Sequence, residues 1–98
     1  MPGDLPAHCA RLLEAWAATV ARRPDALALA RRLDADLRAV PPAWSETDNL
    51  TVARLLEANG DTAGALAAVQ RRRVDLTPLF HSAYLREEAR LARSVRGN

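Results

Sequence analysis

Few side chains in this 98-residue chain could do chemistry, and their spacing decides which kind. His8 and Cys9 are neighbours, and His81 is the only other histidine. Successive residues on a helix point about 100° apart, so the pair cannot by itself chelate a metal or couple a nucleophile to a base. No Cys/His spacing supports zinc. A Cys–His nucleophile needs a base and an orienter converging in a cleft, which sequence neighbours do not supply. Cys9 is expected to pack as a small buried residue. Gly60 and Gly64 make no phosphate loop, because no strand precedes them and no Gly-Lys-Ser follows. The expectation is therefore no cofactor, no metal and no enzymatic activity.

The charged pairs and runs carry more. Glu88, beside Glu87, falls within a stripe made by Tyr84, Leu91 and Val95. It can pair with an Arg at the core edge, mark an edge where a further helix or partner docks, or act as a catalytic acid. The third role wants a second carboxylate in a pocket. The first two fit better, since a lone Glu in a helical hairpin usually takes an ion-pair role. Arg71-Arg72-Arg73 and Arg22-Arg23 each close a helix, where cations favour the helix dipole and water solvates them; a phosphate or acidic contact is the functional alternative. Trp16 reads as core. Trp44, in the Pro-rich run 41–45, is either a lid over a hairpin junction or an exposed anchor of the kind common at interfaces.

Composition bounds the frame for these residues. The chain suffices for one compact domain with little stability to spare. Apolar residues make up 49% and charged residues 27%, as in an ordinary globular protein. All fourteen basic residues are Arg and Ile is absent. A GC-rich genome accounts for the Arg bias, yet every basic surface is thereby suited to bidentate contacts with carboxylates or phosphates. Net charge is only +2, and twelve acidic residues lie among the Arg. That mixture argues against a nucleic-acid binder, which concentrates charge on one face. A single cysteine permits no internal disulfide. The N-terminus has no basic region followed by an apolar run, and no segment approaches membrane-spanning length. The expected location is the cytoplasm, with no membrane contact.

The elements that must position these residues read as helices throughout. Ala, Leu and Arg dominate and favour helix, and no stretch alternates with period two. The first helix is expected over 5–22, with Asp4 as cap and an apolar stripe of Cys9, Leu13, Trp16 and Val20. The second begins near Pro24 and carries Leu29, Leu33 and Leu37 before Pro41-Pro42 stop it. After the linker 41–45, a third helix over 46–59 opens on Ser45 and Asp48 as a capping-box variant. It ends at Gly60, placed for a left-handed cap. The fourth spans 62–73 with Asp61 as cap. The fifth runs over 78–95, with Thr77 as cap and Pro78 in first position. The fold class is all-α: a helix pair at 5–40, a second at 46–73 and a terminal helix, in one domain over 1–98.

The connections are short, as in stacked antiparallel hairpins. VARLLEA at 52–58 and EARLARS at 88–94 place related phrases about 36 residues apart, close to a two-helix repeat period. Val52, Ala53 and Leu56, the Gly60-Asp61 turn, then Ala65 and Val69 follow the pattern of the tetratricopeptide repeat, and Pro78 lies about one position late. A Leu stands where an aromatic is usual, and Arg72 where an Ala is. The run ARLLEANGDTAGALAAVQRR with YLREEARLA further resembles helical repeats appended to bacterial Ser/Thr kinases and transcriptional activators. The resemblance covers residues 49–92 well and 9–40 loosely.

In tetratricopeptide arrays the first helix of each unit lines a concave groove. Carried over, that face presents Leu50, Arg54 and Glu57 from the third helix and Arg86, Arg90 and Arg93 from the fifth. Spacings of four and three set those last three Arg on one stripe. An Arg-lined groove favours acidic peptides or a terminal carboxylate. The resemblance thus implies a protein-binding scaffold or adaptor whose partner-binding residues are Arg54, Glu57, Arg86, Arg90, Arg93 and Trp44. Leftover apolar residues on the terminal helix (Leu85, Ala89, Leu91, Ala92 and Val95) add a homodimer as an expectation, since repeat arrays need polar ends to stay apart. Two further readings stand beside it: a nucleic-acid accessory domain using the Arg clusters, and a fragment of a longer signalling protein.

Overall fold

Two hairpin turns organise the chain, and both are built by the same backbone device. The computed structural model describes residues 5–39, 48–71 and 78–97. Helix α3 (Asp48–Ala58) ends where Gly60 adopts φ 90°, a left-handed conformation. The Asp61 amide then donates back to the Leu56 carbonyl at 2.8 Å and the Gly60 amide to Glu57 at 3.0 Å. This pair of reversed bonds is a Schellman motif. Asp61 serves twice, because its side chain also accepts from the Gly64 amide at 2.9 Å and so caps α4 (Thr62–Gln70). A Cβ at position 64 would stand 2.7 Å from the Asp61 carboxyl carbon, so a larger residue there must push the capping carboxylate aside.

Helix α1 (Leu5–Val20) ends identically. Arg23 donates to Ala18 at 2.9 Å and Arg22 to Thr19 at 3.2 Å, with Arg22 in the left-handed position at φ 55°. Helix α2 follows over Ala26–Arg38, so Pro24 lies in the turn and not in the first helical position. Asp25 precedes α2 without a side-chain cap bond; its carboxylate instead accepts from Arg23 at 2.5 Å. Helix α5 is the longest, Pro78–Gly97.

Among the described residues there are five helices and no strand, and the fold is all-α. Each helix packs against its successor from α1 to α3 and from α3 to α5, with α1 also touching α3. The resulting slab measures 37 × 29 × 18 Å. Its core joins Ala15 of α1, Ala30, Leu33 and Leu37 of α2, Val52, Leu55 and Leu56 of α3, Ala65, Ala68 and Val69 of α4, and Tyr84 and Leu91 of α5. Small residues dominate α4, which lets α3 and α5 approach it closely. Asn59, in the turn after α3, donates to the Thr19 hydroxyl of α1 at 3.0 Å, tying the two Schellman turns together. No described helix is long and apolar enough to cross a membrane.

Three sequence expectations are corrected. The apolar stripe of α1 faces outward: Leu13 is 69% exposed, Trp16 52% and Val20 73%, and Cys9 is exposed. The core takes the opposite face through Ala15 and Ala18, because small side chains allow α1 to sit close on α2. Trp16 and Cys9 are therefore not core residues. Arg71 is not a solvated dipole partner either. It reaches across to Asp34, a carboxylate buried on α2, and donates to the Asn49 side chain of α3 at 3.2 Å; Arg38 donates to the same Asp34 at 2.6 Å. A buried carboxylate demands such partners. The linker 41–45 with Trp44, the Pro41-Pro42 stop, the Ser45–Asp48 box, the caps Asp4 and Thr77, and Arg72 and Arg73 lie outside the described residues.

Candidate protein-binding groove

The face shared by α3 and α5 holds the residues singled out by charge. Arg54 and Glu57 project from α3 at i,i+3, and Arg86, Glu87 and Arg90 from one stripe of α5. Arg90 forms a fork on Glu57, with both Nη atoms 2.7 Å from the two carboxylate oxygens. Its Nε donates to Glu87 at 2.8 Å. The other Glu87 oxygen lies 3.6 Å from Arg54 Nε. Residues 54 and 57 thus face 87 and 90 in the same order, so α3 and α5 run in the same direction along this face.

A groove of about 250 Å³ opens between them, lined by Leu50, Arg54, Ala83, Arg86, Glu87 and Arg90. Its two halves differ. Arg90 uses Nε and both Nη groups on protein carboxylates and is held in place. Arg54 is 70% exposed, and its one ion-pair contact among the described residues is the long one to Glu87. Arg86 is exposed and has no ion-pair partner among the described residues. Three guanidinium groups meet two carboxylates here, leaving one net positive charge concentrated on Arg54 and Arg86.

The electrostatics support that division. Hydrogen bonding from Arg90 holds the Glu57 carboxyl below its ordinary value; burial opposes this, while the nearby charges of Arg90 and Arg54 assist. Arg90 is pushed above the usual arginine range by its bonds to Glu57 and then Glu87. A carboxylate held so firmly ionised is a poor general base near neutral pH, and none of the lining residues is a Ser, Cys, Thr or His nucleophile. No group of His, Cys, Asp and Glu among the described residues could hold a metal. The arrangement can present two guanidinium forks to an anion beside the apolar surfaces of Leu50 and Ala83.

The structure brings Arg54, Glu57, Arg86 and Arg90 together. Arg93 is exposed on α5 but does not line the groove, and Trp44 lies outside the described residues. Glu87 is the groove-lining residue that sequence reasoning passed over in favour of Glu88, which is half-buried and engaged within the protein. The signal was available: Glu87 stands three residues before Arg90, the ordinary spacing of a helical ion pair. No family model, no curated protein and no solved structure matches the chain.

Proposed function

We propose that this protein is a non-enzymatic interaction module, a tetratricopeptide-like helical array that holds an acidic peptide segment in the α3–α5 groove. The observation that carries this reading is the unequal pairing of the cations. Arg90 is spent on Glu57 and Glu87, whereas Arg54 and Arg86 stand over the groove with their forks available. A groove of about 250 Å³ falls below the roughly 300–1,000 Å³ of small-molecule pockets. It suits one or two side chains of a peptide, or a chain terminus. Glu57, Glu87 and Arg90 then form the frame, while Arg54 and Arg86 read the ligand's carboxylates and Leu50 supports an apolar neighbour.

The sequential packing of α1 to α5 and the repeated Schellman turn support the array reading. A lone, exposed Cys9 fits a reducing compartment, which supports a cytoplasmic location.

The test is fluorescence anisotropy with a labelled octapeptide carrying four glutamates, run beside its all-glutamine counterpart. The Glu peptide binds and the Gln peptide does not. Arg54→Ala with Arg86→Ala weakens binding at least about tenfold, while Arg93→Ala leaves it unchanged. Equal binding of both peptides, or binding that survives the double substitution, contradicts the proposal.

A further inference from the structure

The outer face of α1 is apolar and exposed. Of the exposed positions from 9 to 21, every one is apolar except Glu14. A solvated helix face is ordinarily polar, and here the largest apolar side chains point to water while alanines fill the core side. Cys9, Leu13, Trp16 and Val20 follow one another at spacings of four, three and four, the heptad pattern against which a second helix lies.

That spacing is the same read in either direction. Turned end for end about a two-fold axis between Leu13 and Trp16, the seam meets itself, with Leu13 across from Trp16 of a second copy and Cys9 across from Val20. Self-complementarity under a two-fold is what an isologous dimer requires. Leu13, Trp16 and Val20 leave roughly 300–400 Å² of apolar surface on each copy. Joining two copies removes about twice that area, and with the flanking alanines it approaches the ~1,200 Å² of a small specific interface. The one exposed charge between positions 9 and 21, Glu14, lies about 130° around the helix from the centre of the seam.

The terminal helix is a poorer candidate for self-association. Among its described side chains, the exposed large apolar ones are Leu85 at 42% and Val95 at 40%, each less exposed than Leu13, Trp16 or Val20. Arg86, Arg93 and Arg96 flank them, so a two-fold would bring like charges together.

We infer that two copies of the chain pair antiparallel through the outer face of α1, about the seam Cys9, Leu13, Trp16 and Val20. This surface is separate from the α3–α5 groove, so each dimer carries two grooves, and the inference stands or falls independently of what they bind.

Sedimentation equilibrium over roughly 1 µM to 1 mM tests it. The mass is expected to rise from 10.7 kDa to twice that value. Leu13→Glu and Trp16→Glu, both at exposed positions, are expected to weaken association at least about tenfold with unchanged helicity and melting. Leu85→Glu is expected to leave it intact. A second arm tests the register with a short bismaleimide. In the antiparallel pair the two Cys9 residues stand about 17 Å apart along the axis, so the natural chain does not cross-link. Val20→Cys places a thiol opposite Cys9 of the second copy, and that variant does. A monomer at every concentration, a dimer indifferent to Leu13→Glu and Trp16→Glu, or a Cys9–Cys9 cross-link in the natural chain overturns the inference.

Discussion

Arg22 and Gly60 occupy equivalent places in the two turns, and only one of them is a glycine. A side chain at positive φ costs about 1–2 kcal/mol relative to glycine. Arg22 at φ 55° carries that cost, and Gly60 at φ 90° avoids it. Arg22→Gly is therefore expected to raise stability by about 0.5–1 kcal/mol. Gly60→Ala is expected to lower it by about 1 kcal/mol, although nothing lies within 4 Å of the added methyl. Urea unfolding of both variants measures this. Glu57 is the other residue whose chemistry is read directly. Its folded pKa is depressed, so its contribution is fully present above the unfolded value and is lost as pH falls through the folded one. Arg90, raised further above neutrality, stays charged across that window. Glu57→Gln is expected to flatten the acid limb of the stability profile and leave the neutral region nearly unchanged in shape. An acid limb as steep as that of the natural chain would show that other carboxylates dominate it.

Between elements, one polar network ties three parts of the chain together. Asp34 of α2, Arg71 after α4 and Asn49 of α3 form a partly buried network where α3 begins and α4 ends. Arg71→Ala leaves the Asp34 side chain, only 7% exposed, with Arg38 as its remaining cationic partner; the expected cost is about 2 kcal/mol. Arg38, itself 61% exposed, is expected to cost under about 1 kcal/mol when removed. Thermal or urea unfolding of the two single variants separates them, and equal losses would contradict this ranking. The network also marks a limit of sequence reading. Asp34 interrupts the apolar stripe Ala30, Leu33 and Leu37, which signals a buried carboxylate in need of a cation. Nothing local says that the cation arrives from 37 residues away. The turn at Gly60-Asp61 was legible because its determinants are adjacent in the chain. The orientation of α1 was not, because periodicity identifies an apolar face without saying which side the core lies on. Helix α1 has two such faces, and packing distance to α2 selected the smaller side chains.

Across the whole molecule, the helices form a sequence of neighbours, and the two features open to partners lie on different helices. The groove needs α3 and α5 together, with Glu57, Glu87 and Arg90 bridging them. The seam needs α1 alone. Helical spacing, once the array was assumed, set Arg54, Glu57, Arg86 and Arg90 on one side of the molecule, and three of them line the groove. Their division into a fixed frame and two available cations was not legible, because it depends on which Arg finds which carboxylate across the α3–α5 gap. An amide chemical-shift titration with the four-glutamate peptide measures that division. Perturbations are expected at Leu50, Arg54, Ala83 and Arg86, with small changes at Glu57 and none along Leu13 to Val20. Shifts centred on α1, shifts spread evenly over every Arg, or no shift at all would contradict it.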